Sequence, residues 1–578
     1  MLVYHDRMAR RDPGEILNSI EDAVRRAGSR ATQARSEELV EALIESGELA
    51  QGLADAEFEA SGEDEATQLQ SAALALACAI SRRLLDIEEP GAIDGVKSTV
   101  DALRSMAPRD AVLCRQPEGY AHYAVYPQAY AAAARRGDWP TPPLVIGLRS
   151  IGASLAAVVA VATRAAGVLT LRPVGPPFRR EIRASRTLRA RLAAHEGPFA
   201  IVDEGPGLSG SSFAAVAQLL ESLGISSERM VFMPSHGGEP GGEACQAVVR
   251  RWRRSVRLVA SSEDILSFNE VGRLFADLIG TPGCIRDISG GKWRADLLPG
   301  RRPPAWPAQE RLKLRLGTGE GEFVARFAGL GRLGAEKFAR ARMMFAAGFV
   351  PEPLALRRGL LLERWVEGRP VAGEPSDALI THLARYIGLR GRCFPAQPGL
   401  GADRAALVEM AMVNSEALGG ASLRTRVAGE LDALDREAVP PRPIYTDGRL
   451  HPWEWLWSAE GRLVKTDAVD HACGHDLIGA QDVAWDVAGA VTEFKLSGAQ
   501  TRRLREQVQH ESGLPVPLSR LHAFCLFYSI FQAGLWDMAM AGTDPLTAAE
   551  AAARKAFYLE ALTTRLAPPS PPAADTGP

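Results

Sequence analysis

Aromatic residues supply only 6% of this 578-residue chain, so its cores must be built mainly from Ala, Leu and Val. Cysteine is also sparse: the seven thiols include no CxxC pair, which disfavours a disulfide framework or a cysteine zinc site and points to a reducing cytoplasm. The apolar run over 151–163 is short of the roughly 20 residues that span a bilayer, and the charged opening, 1–13, has no signal-peptide core, so no membrane association is expected. Neither sign of charge dominates. With 67 Lys and Arg against 70 Asp and Glu, nucleic acid is not an expected partner, and anion recognition must be local. No Gly-x-Ser-x-Gly elbow, Walker loop or His-Glu-x-x-His motif occurs.

What is present falls into distinct textures. Over 15–106 apolar residues recur at three- and four-residue steps, as in Leu39, Val40, Leu43 and Ile44, the period of amphipathic helices. That region reads as a packing module and as the expected surface for a homodimer. From about 110, short apolar runs at 144–148, 167–171, 199–202 and 230–233 alternate with helical stretches, the texture of a mainly parallel α/β sheet. The basic stretch Arg250, Arg251, Arg253, Arg254 and Arg257 reads as a solvated face. Prolines at 299, 303, 304 and 307 mark a linker expected to separate independently folding halves. The resulting domains are 1–108, 109–297, a linker at 298–307, 308–566, and a Pro- and Ala-rich tail at 567–578 expected to be disordered.

One local pattern carries chemistry in the middle region. Phe199-Ala-Ile-Val-Asp-Glu-Gly-Pro-Gly-Leu-Ser-Gly-Ser-Ser212 reads as a buried strand ending in two carboxylates, then a Gly- and Ser-rich turn opening a helix. Backbone N–H groups at such a turn and helix N-terminus suit a phosphate, and Asp203 and Glu204 suit ribose hydroxyls or the water shell of Mg²⁺. This resembles the type I phosphoribosyltransferases over about 110–240. The resemblance implies that Asp203 and Glu204 hold the ribose, that Gly207, Leu208, Ser209, Gly210, Ser211 and Ser212 wrap the 5′-phosphate, and that Arg149, Ser150, Ile151 and Gly152 bind pyrophosphate. The loop carries Gly205 and Pro206 where the family usually has Thr. Arg179, Arg180 and Arg183 are the candidates for its mobile catalytic loop. The Tyr- and His-rich segment at 115–127 reads either as an acceptor-binding flap or as packing, and Ser235 and His236 are expected to line the same crevice.

A second pattern stands between 444 and 494: Thr446-Asp-Gly-Arg-Leu-His-Pro-Trp-Glu-Trp-Leu456, then Val464-Lys-Thr-Asp467. Acidic residues at strand ends suit Mg²⁺ and phosphate. The pattern is similar to the aminoglycoside phosphotransferase and kinase-like family, which implies Glu454 and Asp467 as metal ligands, Asp447 as catalytic base from a shifted loop because Arg449 stands at the usual Asp position, Arg326 in place of the nucleotide-binding Lys, and Glu363 near the adenine. Asp482 and Asp486 fall in its later helix-anchoring segment. The cluster Asp467, Asp470, His471, His475 and Asp476 reads as a solvated loop beside the metal residues rather than as a transition-metal site.

Together these readings give an α/β multidomain protein: a helical amino-terminal region, a parallel-sheet phosphoribosyltransferase-like domain and an α+β kinase-like domain. The expected function is cytoplasmic phosphoribosyl transfer with PRPP, Mg²⁺ and a nucleobase-like or other small-molecule acceptor, coupled to an ATP-binding domain that phosphorylates a related metabolite. The alternative is a protein that senses PRPP or nucleotide without turnover.

Overall fold

The computed structural model describes residues 1–87, 92–207, 209–241, 244–296, 302–434, 440–474, 476–541 and 543–567. The tail beyond 567, Leu208 and His475 lie outside the described residues. Strand β1 (Met8–Arg11) precedes α1 (Pro13–Gly28), α2 (Thr32–Ser61), α3 (Gln68–Leu84) and α4 (Ala92–Met106), and then pairs antiparallel with β2 (Val112–Arg115). Asp12 caps α1 by accepting the Glu15 N–H, with Pro13 in the first turn, where its missing N–H costs nothing. Ile16, Leu17, Ile20 and Ala23 repeat at helical spacing and are buried. These helices bury their apolar faces within the chain itself, in one core with the sheet described next.

After α5 (Glu118–His122) and α6 (Pro127–Arg136), the chain runs through β3 (Leu144–Leu148), α7 (Gly152–Thr163), β4 (Gly167–Leu171), a hairpin of β5 (Pro173–Val174) and β6 (Glu181–Ile182), α8 (Arg186–Ala193), β7 (Phe199–Val202), α9 (Ser211–Ser222), β8 (Met230–Met233), α10 (Gln246–Arg254) and β9 (Val256–Arg257). The sheet is parallel, in the order β4-β3-β7-β8-β9. Side chains alternate across it as the pleat requires: Val145, Ala200 and Val202 enter the core shared with the amino-terminal helices. Leu144, Ile146, Phe199 and Ile201 face the opposite core around Trp252. Helices cover both faces, which is why these strands read as continuous apolar runs. Chain order reverses between β3 and β7, and the crevice at the carboxyl ends of two such strands is where open α/β sheets bind ligands.

Helix α11 (Phe268–Ile279) leads to β10 (Cys284–Asp287), β11 (Lys313–Thr318), β12 (Gly321–Phe327), α12 (Gly331–Ala346), β13 (Pro353–Arg357) and β14 (Leu360–Arg364). The strands form one antiparallel sheet ordered β10-β11-β12-β14-β13. Here the structure departs from the expected linker at 298–307. Strand β10 lies before it and bonds to β11 behind it, so the segment is a connection inside one sheet and does not separate independent halves. Leu314, Leu316, Phe323, Ala325, Leu360 and Leu362 pack into the amino-terminal core. Period-2 alternation therefore turns Lys313, Arg315, Val324, Arg326 and Glu363 to the other face.

The remainder comprises β15 (Gly368–Pro370), α13 (Asp377–Cys393), α14 (Arg404–Ala433), β16 (Pro443–Ile444), β17 (Trp455–Ser458), β18 (Leu463–Lys465), β19 (Gln481–Asp482), α15 (Ala484–Glu493), α16 (Gly498–Ser512), α17 (Leu518–Met540) and α18 (Pro545–Arg565). These helices share a second core that also takes in Val3 and Trp306. By length and composition α17 is apolar enough to cross a membrane, although its sequence holds no long uninterrupted apolar run. It is mostly buried in that core, packed against α14, α15 and α18.

Candidate functional site

The outward face of the antiparallel sheet forms one wall of a cavity of about 390 Å³, and the open end of the β17–β18 hairpin forms the other. Cross-strand pairing sets Lys313 directly opposite Arg326, and Val324 opposite Glu363. Glu454 immediately precedes β17 and Asp467 lies two residues beyond β18, so pairing of Trp455 with Lys465 brings both carboxylates to one end. A narrower cavity of about 90 Å³ continues past Glu454 and Asp467 toward Arg449, His471 and Asp476. Trp293 and Trp453 line both.

Charges in this cleft are closely interlocked. Arg326 Nε donates to Glu363 Oε2 at 2.7 Å, its Nη1 donates to Asp470, and the same Nη1 lies 3.8 Å from Asp467 Oδ1. Lys313 Nζ is 3.2 Å from Glu310 and 3.6 Å from Asp467 Oδ2. Lys337 on α12 reaches Asp470 Oδ1 at 2.8 Å, and Lys465 reaches Glu454 at 2.6 Å. Burial acts to raise the Asp467 carboxyl, but Lys313, His471 and Arg326 together hold it well below the usual carboxylate range. Burial likewise opposes the charge on Arg326, and Glu363, Asp470 and Asp467 more than offset it. Both shifts favour the charged forms of Asp467 and Arg326.

Arg326, Glu454 and Asp467 therefore meet in one cleft. Glu363 joins them as the buried ion-pair partner of Arg326. Asp447 does not face either cavity. It is fully buried, accepts a hydrogen bond from the Tyr386 hydroxyl and lies 3.5 Å from Lys465 Nζ. His471 Nδ1 sits 2.9 Å from its carbonyl oxygen and 3.3 Å from Oδ1. Asp486 accepts the N–H groups of Asp447 and Gly448 at 2.9 and 3.0 Å and so anchors this turn, whereas Asp482 accepts from Arg520 at 2.6 Å. Arg449 occupies the narrow cavity, bonded to Gln309 and 3.6 Å from Asp476. Lys313 joins the site without any motif of its own, although its alternation with Leu314 and Leu316 already placed it on the polar face.

For Mg²⁺, the donor set is Glu454 and Asp467, and Asp467 Oδ1 is a buried oxygen with no hydrogen-bond partner. That fits an ion which takes one or two carboxylates and completes its shell with water and phosphate oxygens. Among the described residues no group of three or more His, Cys, Asp or Glu forms a dedicated metal cage.

The second crevice lies at the β3–β7 reversal. Asp203 and Glu204 leave the end of β7; Tyr130 donates to the Asp203 carbonyl at 2.7 Å, and the Ser235 N–H to that of Glu204 at 2.8 Å. His236 abuts Gly205 so closely that a Cβ there would lie 2.8 Å from Nε2. Burial pushes Glu204 up to about 7, opposed by the Gly119 N–H. Burial and the charge of Glu204 raise Asp203 well above its ordinary value, and the same two causes raise Glu118. Gly207 and Gly210 have positive φ (56° and 62°), which lets the loop turn into α9. Ser209 and Ser211 hydroxyls are 2.8 Å apart, and Ser211 donates to the Pro177 carbonyl at 2.5 Å. Ser212 follows in the first turn of α9. The β5–β6 hairpin that carries Arg179 and Arg180 thus leans on this loop, with Arg180 bonded to Gly175 and Arg183 to Glu181.

The pyrophosphate expectation fares differently. Ser150, Ile151 and Gly152 do form the turn from β3 into α7, and Gly152 lies against the end of β7, where a Cβ would be 2.8 Å from the Val202 carbonyl oxygen. Arg149, however, is buried, with Nε on Asp55 at 2.9 Å, Nη1 on Thr170 at 3.2 Å and Nη2 on Asp64. Its guanidinium ties the sheet to the α2–α3 region and points away from the crevice. The 115–127 segment is a buried packing element: Tyr120 bonds Ser154 at 2.8 Å and Tyr126 bonds the Arg358 carbonyl at 2.8 Å. In the basic stretch, Arg251 pairs with Glu221 and Arg253 with Glu239.

No protein-family model matches the chain, and no curated protein matches it. Solved structures with some likeness include choline kinase LicA from Streptococcus pneumoniae, at 14% identity over 52% of this chain and 99% of that one, with a TM-score of 0.33. Macrolide 2'-phosphotransferase MphH from Brachybacterium faecium aligns at 16% identity over 50% of this chain and 98% of that one, with a TM-score of 0.32. Spectinomycin phosphotransferase APH(9)-Ia, in complex with ADP and spectinomycin, aligns at 8% identity over 52% of this chain and 97% of that one, with a TM-score of 0.35. Likeness at that level carries no argument, so the functional reading rests on the geometry.

Proposed function

We propose that the carboxyl half binds a magnesium nucleotide in the cleft between the antiparallel sheet and the β17–β18 hairpin, and passes its terminal phosphoryl group to a small-molecule acceptor in the adjoining narrow cavity. The observation that carries this is the convergence of Lys313 and Arg326 from one sheet face on the Asp467 carboxylate, in a cavity that Glu454 also lines. Glu454 and Asp467 would hold Mg²⁺, which supplies charge neutralisation on phosphate oxygens. Lys313 and Arg326 would bind those oxygens as a point charge and a planar fork respectively, exchanging contacts with Glu310 and Glu363. Trp293 and Trp453 would exclude water, which strengthens each ionic contact. Asp476, raised by burial and opposed by Arg449, lines the narrow cavity and would take the acceptor proton.

A second reading, nucleotide binding without turnover, is favoured by Arg449 at the position where a catalytic Asp was expected and by the burial of Asp447. For the middle domain, Asp203 and Glu204 beside the α9 loop support a ribose-phosphate such as PRPP as ligand.

Calorimetric titration tests all three. MgATP should bind the intact chain, Lys313→Met should weaken it at least about tenfold, or ~1.4 kcal/mol, and Asp467→Asn should abolish the dependence on Mg²⁺. Absence of MgATP binding to the wild type would overturn the main reading. Binding without formation of ADP and a phosphorylated product across an acceptor screen would select the second. Mg·PRPP binding that is lost in an Asp203→Asn, Glu204→Gln variant would establish the middle-domain ligand.

A further inference from the structure

A separate groove of about 540 Å³ runs between β1, α12 and the segment around 395–400. Its rim residues Arg10, Glu336, Pro395 and Gln397 are exposed, so it opens to solvent. At its floor lies Cys473, which ends a short 3-10 turn after Asp470 and His471. Three cations from two other elements converge on this thiol. Arg340 Nη2 is 3.0 Å from Cys473 Sγ, and Arg7 and Lys337 stand in electrostatic reach of the same group. Tyr445 braces both guanidinium groups, which lie over its ring at 4.4 Å for Arg340 and 5.7 Å for Arg7. Arg7 also donates to the Tyr445 hydroxyl at 3.3 Å.

The remaining groups facing the sulfur are few. Asp470 is the nearby carboxylate, and Lys337 and Arg326 already engage it. The Gln116 amide lies 3.5 Å from the Cys473 carbonyl oxygen. Two guanidinium groups thus share one sulfur, and the carboxylate of Glu336 stands 3.9 Å from Arg340. Burial acts to raise the thiol, but Arg340, Arg7 and Lys337 bring it below its ordinary value. Low thiol pKa beside fixed cations is the condition for reactivity.

We propose that Cys473 is a thiolate modification site for small hydroperoxides entering through this groove. The thiolate sulfur attacks one peroxide oxygen, an S–O bond forms and the O–O bond breaks. Sulfur loses two electrons to the peroxide, hydroxide (or, from an alkyl hydroperoxide, the alkoxide) leaves toward the cationic floor, and the product is a sulfenic acid. The exposed thiols Cys245 and Cys284 serve as internal references.

The test treats the intact chain with hydrogen peroxide and dimedone across pH 5.5–9 and reads each cysteine peptide by mass spectrometry. Cys473 should carry the adduct at pH 6.5, where an ordinary thiol near pKa 8.5 is only about 1% thiolate, and should exceed Cys245 and Cys284 there at least about tenfold. Arg340→Met should move its pH midpoint upward, Arg340→Lys should restore much of it, and Arg7→Gln gives the same direction by an independent route. A Cys473 midpoint matching that of Cys245 in the wild type, or an adduct that appears only after unfolding, would overturn the proposal without any variant being needed.

Discussion

Glu204 and Arg149 show what a single residue owes to its surroundings. The two lie at the carboxyl ends of neighbouring strands, yet one carboxyl is pushed up to about 7 while the guanidinium is ion-paired with Asp55 and Asp64. The raised carboxyl has a consequence for stability. Below about pH 4.5 both folded and unfolded chains hold the proton; as pH rises toward 7 the unfolded chain releases it first, so folding stability falls across that window. A tenfold change in proton affinity is worth about 1.4 kcal/mol, so the shift of Glu204 from 4.5 to about 7 should cost on the order of 3 kcal/mol by pH 8. Urea unfolding from pH 4.5 to 8 should therefore show a decline that flattens in Glu204→Gln; an unchanged slope would assign the effect to other raised carboxyls, among them Asp203, Glu118, Asp476 and Asp486. The contiguous Asp203-Glu204 pair was legible because strand, acids and loop follow one another in sequence. The partners of Arg149 and Arg326 were not, because Asp64 and Asp470 lie 85 and 144 residues away, and nothing local marks a buried ion pair.

At the scale of elements, alternation did most of the positioning. The apolar residues of β11, β12 and β14 went to the core as their period requires, and that alone turned Lys313, Arg326 and Glu363 toward one cavity. The β3–α7 corner depends on something smaller. A Cβ on Gly147 would sit 2.1 Å from the Gly152 carbonyl oxygen, so the helix can cross the strand only where both positions lack side chains. Gly147→Ala should cost about 3 kcal/mol or more, since overpacking against backbone has no rotamer to relieve it. Hydrogen exchange should show the loss at β3 and the start of α7, and protection equal to wild type there would contradict the packing argument. The sequence marked this turn by its glycines, but as a ligand loop; the close approach of helix to strand became visible only with both in place.

Across the whole molecule, the first residues of the chain belong to its last domain. The Leu2 N–H donates to Asn414 Oδ1 at 2.7 Å, the Asn414 amide returns a bond to the Leu2 carbonyl at 3.0 Å, and the Leu477 N–H donates to the Val3 carbonyl at 2.9 Å. Glu41 and Glu48 on α2 bind Arg332 at the start of α12 at 3.0 and 2.6 Å. A fragment spanning 308–566 would lack β10, Val3 and the apolar surface beneath its own sheet. It should fail to give native near-ultraviolet circular dichroism, whereas 1–566 should unfold in a single transition. A fragment that folds cooperatively would restore the independent-halves expectation.

By itself the sequence determined the local elements, the two faces of each strand and the acidic pair at the end of β7, because each follows from periodicity or from residues close along the chain. Only the tertiary structure decided that Asp447 is buried away from the cavity, that Arg149 serves a scaffold, that β10 crosses the supposed boundary and that Cys473 meets Arg7 and Arg340. Those outcomes depend on which distant surfaces share a core, and burial, which sets both the cost of a charge and the partner it must find, is a property of the assembled fold.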